Sequence, residues 1–150
     1  MDMVRINKCN KIHKNALGMT LIELMIAVVI VGILASIAYP TYSHYVKEGH
    51  RRQVMADMAK IQLYLEENYR HSEGYPIDAI FDNNSVCSFC DYDNERFELT
   101  IKPINNNRQY TIIAKPMVQR GQNTDACRGE TYEKLELKSS GEALPKGCWR

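Results

Sequence analysis

Three groups of residues in this 150-residue chain have the types and spacing to do chemistry. The first is Gly18-Met19-Thr20-Leu21-Ile22-Glu23, at the head of an apolar run in which Glu23 is the single charge between Met19 and Ala38. A carboxylate in so apolar a stretch costs at least ~2.5 kcal/mol inside a membrane, so it marks a function and a partner. A cut between Gly18 and Met19 would create an α-amino cation at the same helix end, and a neighbouring copy could offer that amine to Glu23. The second group is five cysteines: Cys9, Cys87, Cys90, Cys127 and Cys148. The third is a set of lysines and arginines in the last third of the chain.

Elements must position these groups. From Met19 to Ala38 the only polar side chains besides Glu23 are Thr20 and Ser36. At ~1.5 Å per residue, a helix of that length spans ~30 Å, the hydrocarbon thickness of a bilayer. Residues 1–18 carry Arg5, Lys8, Lys11 and Lys14 against Asp2. Such a basic segment stays on the cytoplasmic side by the positive-inside tendency. A secretory signal would be cut after its apolar core at small residues, and no Ala-x-Ala pattern follows this one. An uncut N-terminal anchor is the plainer alternative, and the pairing of Gly18 with Glu23 argues against it.

Gly18-Met19-Thr20-Leu21-Ile22-Glu23 followed by a full-length apolar run resembles the cleavage and methylation motif of the type IV pilin family. Met19 stands where Phe is usual. The resemblance implies that prepilin peptidase cuts after Gly18 and that the new amine of Met19 is methylated. It further implies that residues 19–39 hold the subunit in the inner membrane and then pack a filament core, with Glu23 neutralising a neighbour's amine. The implied domains are a leader at 1–18, an assembly half-helix at 19–39 and an exported globular domain at 40–150. The implied fold is α+β, a long N-terminal helix packed on a small antiparallel sheet.

Loss of the leader would discard Cys9 and leave four cysteines, an even number suited to an oxidising compartment. Three pairings are open, and those expected are Cys127 with Cys148 and Cys87 with Cys90. The first would close a loop worth ~3 kcal/mol in the chain-entropy model. A four-cysteine zinc site is the rival, but one Cys-x-x-Cys with two isolated cysteines is poor zinc spacing. No metal and no cofactor is expected.

Beyond Pro40, which should kink or loosen the helix unless the helix simply ends at Tyr39, Val54, Met58, Ile61, Leu65 and Tyr69 recur at spacings of three and four. That is a core-facing stripe. His50, Arg51 and Arg52 fall off it, on a turn that faces solvent or another subunit. The helix is expected to end near His71–Gly74, with Gly74 as its left-handed cap. A loop follows from Ile77 to Glu95. Strand alternation then appears at Phe97, Leu99 and Ile101, at Tyr110, Ile112 and Ala114, and at Leu135 and Leu137. An Asn-rich turn at Asn105–Asn107 separates the first two, and Ser139-Ser140-Gly141 follows the third. Tyr110-Thr-Ile-Ile-Ala-Lys-Pro116 and the tail segment Lys146-Gly147-Cys148-Trp149 resemble PilE-type minor pilins, whose C-terminal region is bounded by a disulfide.

No nucleophile pattern, phosphate-cradling loop or metalloprotease motif is present, and His44, His50 and His71 are expected at the surface. An enzyme is therefore not expected. Without the leader the chain holds fifteen basic and seventeen acidic residues, which excludes a bulk polyanion binder. The balance is uneven, however: residues 41–100 sum to −5 and residues 101–150 to +4. Either these are complementary faces for stacking subunits, or the basic part contacts DNA, with Lys134, Lys138 and Lys146 the candidate contacts. The expected protein is thus a minor pilin serving pilus biogenesis, adhesion, twitching motility or DNA uptake. Its partners would be other pilin subunits, prepilin peptidase, the inner-membrane assembly machinery and, in the receptor reading, DNA. It would lie in the inner membrane before assembly and on the surface pilus afterwards. A competence DNA receptor and a type II secretion pseudopilin are the alternatives.

Overall fold

The structure is a computed structural model that describes residues 19–82 and 87–149. The expected leader, with the cleavage residue Gly18, lies outside the described residues. The chain divides between Tyr39 and Pro40 into two compact units.

Within the first unit every described side chain is exposed. Its helix, the start of α1 (Leu21–Glu67), is capped by Thr20. The Thr20 hydroxyl accepts from the Glu23 backbone N–H at 3.3 Å, and the Thr20 carbonyl accepts from Leu24 N–H at 3.2 Å. Thr-x-x-Glu is the sequence of a capping box, and Glu23 sits in the first turn where the helix dipole favours an anion. Glu23 therefore has a local structural role that the apolar-run argument alone overlooks. Among the described residues, α1 is the helix long and apolar enough to cross a membrane. Pro40 lies inside α1, so the helix does not end at Tyr39.

The second unit contains the rest of α1 and six strands: β1 (Phe97–Ile104), β2 (Gln109–Pro116), β3 (Ala126–Cys127), β4 (Glu130–Thr131), β5 (Leu135–Lys138) and β6 (Ala143–Leu144). Four form an antiparallel sheet in the order β1-β2-β5-β6, and β3 pairs with β4 in a separate hairpin. Val54, Met58, Ile61 and Leu65 of α1 are wholly buried in one core with Phe97, Leu99, Tyr110, Ile112, Ala114, Leu135 and Leu137. Each Val, Met, Ile, Leu or Phe among them contributes about 1.5–3 kcal/mol by leaving water. β2 is the central long strand and is buried on both faces, with Thr111 and Ile113 joining the inward Tyr110, Ile112 and Ala114.

Two helix expectations need correction. Arg51 is not on a solvated turn: it lies three residues before Val54, on the buried stripe, and is 8% exposed. The helix also ends at Glu67 rather than near Gly74, leaving Tyr69 beyond it. Just past this end both the backbone N–H and the side-chain amide of Asn68 donate to the Tyr64 carbonyl, at 3.1 and 2.8 Å. Gly74 does take a left-handed φ of +83°, but in a tight turn that it closes by bridging to Arg70. A Cβ on Gly74 would lie 2.5 Å from the Asn107 carbonyl oxygen, which accepts from Tyr75 N–H at 2.8 Å. The turn between β1 and β2 rests directly on that backbone. Asn105, Asn106 and Asn107 all have positive φ, a conformation asparagine tolerates better than most residues.

The 77–95 segment is tied down at several points. It holds a short 3-10 turn at Ile77–Ala79, a bridge between Phe81 and Cys87, and the Cys87–Cys90 disulfide. Asp57, fully buried on α1, accepts from Asp91 N–H at 3.0 Å, while Lys60 reaches both Asp57 (2.9 Å) and Asp91 (2.7 Å). The Lys60 ammonium is held above its ordinary pKa chiefly by hydrogen bonds to Asp91 and Asp57.

Candidate functional site

The sheet face turned away from the α1 stripe carries the first candidate. Because Phe97, Leu99 and Ile101 point inward, Glu98, Thr100 and Lys102 must point outward. The β1–β2 register sets Glu98 opposite Lys115 and Thr100 opposite Ile113. On the far side of β2, Ile113 pairs with Glu136, and Lys134 lies just ahead of β5. The result is a groove lined by Glu98, Thr100, Lys102, Ile113, Lys115, Glu133 and Lys134. Its three ammonium groups outnumber its two carboxylates. Lys134 is ion-paired with Glu136 at 2.7 Å.

The three lysines singled out from the sequence do not form one cluster. Lys134 is in the groove. Lys138 is at the opposite end of β5, ~13 Å away at the rise of a strand, and pairs with Glu142 at 2.7 Å. That hydrogen bond raises the Lys138 pKa and lowers that of the Glu142 carboxyl. Lys146 follows β6 in the tail and is exposed. Lys102 and Lys115 were overlooked as groove members. The signal that finds them is the strand alternation itself, read for its outward positions.

The second candidate is a cleft where the tail meets α1, lined by His44, Glu48, Arg51, Arg52, Ala126, Cys127, Arg128, Gly129, Gly147 and Cys148. Its floor is rigid. The Cys127–Cys148 disulfide joins the β3–β4 hairpin to the tail. Asp125, 2% exposed, accepts from Arg51 at 2.7 Å, Tyr132 at 2.7 Å and Gln122 at 3.3 Å. Gln122 also donates to the Lys47 carbonyl at 3.0 Å, and Arg51 to the Ala126 carbonyl at 3.1 Å. A buried ion pair so fully hydrogen-bonded fixes the hairpin against the helix. The Tyr132 phenol is pushed well above its ordinary pKa, first by burial and then by its bond to Asp125.

At the other end of this stretch of α1 an aromatic group packs around Glu66. Tyr110 donates to Glu66 at 2.9 Å, Tyr75 donates to it at 3.0 Å, and the two rings meet edge to face with centroids 4.7 Å apart. Burial, followed by the bond to Glu66, raises the Tyr110 pKa. His50 is half-buried, and its pKa is lowered by burial and by the Arg96 guanidinium, against an opposing pull from Asp93. Among the described residues no group of three or more His, Cys, Asp or Glu is placed to hold a metal ion.

Comparison with known proteins places these features in a family. Residues 40–131 match the family model described as type IV minor pilin ComP, DNA uptake sequence receptor. Residues 13–39 match the prokaryotic N-terminal methylation motif. The type IV major fimbrial protein FimA of Dichelobacter nodosus is 45% identical over 49 residues, 33% of this chain and 31% of that protein. A probable minor fimbrial protein of the same organism is 42% identical over 50 residues, again 33% and 31%. The chain thus spans about a third of the length of these relatives. A solved type IV pilin from Shewanella oneidensis aligns with a TM-score of 0.49 at 19% identity, over 69% of this chain and 98% of that one. With a methylation motif ahead of Pro40 and a family match running from Pro40 to Thr131, the chain belongs to the type IV minor pilin ComP family.

Proposed function

We propose that this chain is a pilus subunit whose globular unit binds duplex DNA. In this reading prepilin peptidase cuts after Gly18, Met19 is N-methylated, and residues 19–39 anchor the subunit in the inner membrane before packing into a filament of other pilins. The exposed apolar side chains of that stretch and the first-turn position of Glu23 support the assembly role. A neighbour's amine at Glu23 would add a charge-assisted contact to the dipole interaction the carboxylate already has. Glu23→Val tests this: the variant should still insert in membranes but be absent from sheared filaments, and normal incorporation overturns the pairing.

The observation that carries the DNA reading is the groove of Lys102, Lys115 and Lys134. Lys102 and Lys115 fall inside the segment matched by the DNA-receptor family model. Ammonium groups aligned along a sheet face suit a phosphate backbone, with Thr100 as an adjacent hydroxyl donor. The test is fluorescence anisotropy of the detergent-solubilised chain with a labelled duplex across a salt series. Lys102→Ala with Lys115→Ala should flatten the slope of log affinity against log salt by about 1.8, at about 0.9 per lost phosphate contact. Absence of salt-sensitive binding at ~50 mM salt, where such contacts are strong, overturns the reading.

A further inference from the structure

Beside the C-terminal end of α1 lies a cavity of about 410 Å³, within the ~300–1,000 Å³ range of small-molecule sites. Its walls include Tyr64 and Asn68 at the helix end, Arg70, Tyr75 and Asp78 from the segment that follows, and Asn107 from the turn between β1 and β2. The frame is built from the backbone. Gly74 N–H donates to the Arg70 carbonyl at 2.7 Å, Arg70 N–H donates to the Gly74 carbonyl at 3.1 Å, and Tyr75 N–H donates to the Asn107 carbonyl. Glu66 holds the Tyr75 hydroxyl, and the rings of Tyr69 and Tyr110 pack on the Tyr75 ring, each with centroids 4.7 Å away. Asn105, Asn106 and Asn107 have successive left-handed φ values of +52°, +54° and +60°. Such backbone persists in non-glycine residues where surrounding contacts over-determine it, and it clusters at ligand sites.

Several polar groups on these walls have capacity left. Among the described residues the Asp78 carboxylate makes no hydrogen bond or ion pair, and the Asn107 side-chain amide makes no hydrogen bond. The Asn68 amide N–H is taken by the Tyr64 carbonyl, which leaves the Asn68 side-chain oxygen as an acceptor. Arg70 reaches Glu73 through one Nη at 3.3 Å and keeps further N–H donors.

Electrostatics narrow the ligand. Arg70 and Glu73 neutralise each other, while Asp78 and the carbonyl end of α1 add negative character. A phosphate is therefore disfavoured, and a cation meets the Arg70 guanidinium on the same wall. A neutral ligand that both donates and accepts hydrogen bonds fits better. A sugar ring is such a ligand: each hydroxyl donates and accepts, and the ring C–H groups pack on the negative faces of aromatic rings. Tyr64 and Tyr75, both half-buried, supply aromatic surface here, with Pro76 and Ala79 beside them.

We propose that this cavity binds a neutral pyranose ring, with Asn68 and Asp78 accepting from its hydroxyls and Arg70 and Asn107 donating to them. The inference is independent of the DNA-binding reading.

The test is saturation-transfer NMR on the full chain, solubilised in a detergent without a sugar headgroup, with the protein's aromatic protons irradiated. The probes are the methyl pyranosides of galactose, mannose and glucose and their reducing parents. At least one should bind with a dissociation constant on the order of 1 mM, as befits so small a ligand. Binding of a methyl pyranoside assigns the site to glycan ends, binding of a reducing sugar alone assigns it to free sugars, and either supports the proposal. Asp78→Ala should weaken binding about tenfold, as the loss of a charged acceptor. Asn107→Gly should weaken it about fivefold, since glycine suits the left-handed turn while removing the amide. Both variants should keep the thermal midpoint of the unsubstituted chain. Absence of transfer to every probe overturns the proposal, as does undiminished binding by both variants. Displacement of the sugar by inorganic phosphate or tetramethylammonium at lower concentration also overturns it, because the site then prefers an ion.

Discussion

The two parts of α1 are one helix under two different sets of demands. Up to Tyr39 no described side chain is buried, and Ile, Val and Leu cover every side. From Pro40 to Glu67 the apolar residues narrow to a stripe, with Arg51 and Asp57 buried alongside it and charges elsewhere. A helix apolar all round requires an apolar surrounding, whereas a striped one requires a single partner surface. The first part keeps its fold in a membrane or among other helices. The second is fixed by the sheet of its own unit.

The largest expected effect breaks the second part at its most demanding contact. Asp125→Ala leaves the Arg51 guanidinium buried without its carboxylate and also removes an acceptor from Tyr132 and Gln122. It should destabilise the globular unit by about 3–5 kcal/mol, measured as a shift in the denaturant midpoint followed by the fluorescence of Trp149. Next in size is a pair of substitutions that sharpens the contrast. Met58→Ala, in the closed core, should cost about 2–5 kcal/mol in the same assay. Ile30→Arg, on the exposed part, should leave that midpoint unmoved and raise the cost of membrane insertion by about 2.5–3.5 kcal/mol, read from the inserted fraction. An equal loss of fold stability from both would erase the distinction between the two parts.

The smallest effect concerns His50. Its folded pKa lies below the unfolded value, so the unfolded chain binds the proton more readily. The contribution is complete above the unfolded pKa of ~6.5 and is lost as pH falls from there through the lowered folded pKa. His50→Gln should remove this modest acid-side slope. An unaltered slope would assign it to other groups.

Much of this was legible in the sequence because it depended on periodicity. Val54, Met58, Ile61 and Leu65 repeat with a helix's spacing, and the inward residues of β1, β2 and β5 alternate as strands do. Three strands were not legible: β3, β4 and β6 have two residues each, too few for any alternation. Arg51 was misplaced because its charge argued for solvent, and its partner lies 74 residues later in the chain. The helix end was misread for a similar reason. Gly74 has the backbone of a cap, but it is constrained by Asn107 on the β1–β2 turn, which local sequence cannot reveal. The lysine groove needed strand register, since Lys102 and Lys115 come from different strands.

The Cys127–Cys148 bridge has a consequence for a chain that meets a protease. It closes a covalent ring around β4, β5 and β6, including exposed Glu133 and Lys134. A protease that nicks the chain there produces two ends that remain joined, and the hydrogen bonds of β5 to β2 keep the nicked piece in register. The wound would appear only after reduction, as a new fragment on a gel. Wear at this exposed edge can thus accumulate without shedding Lys134.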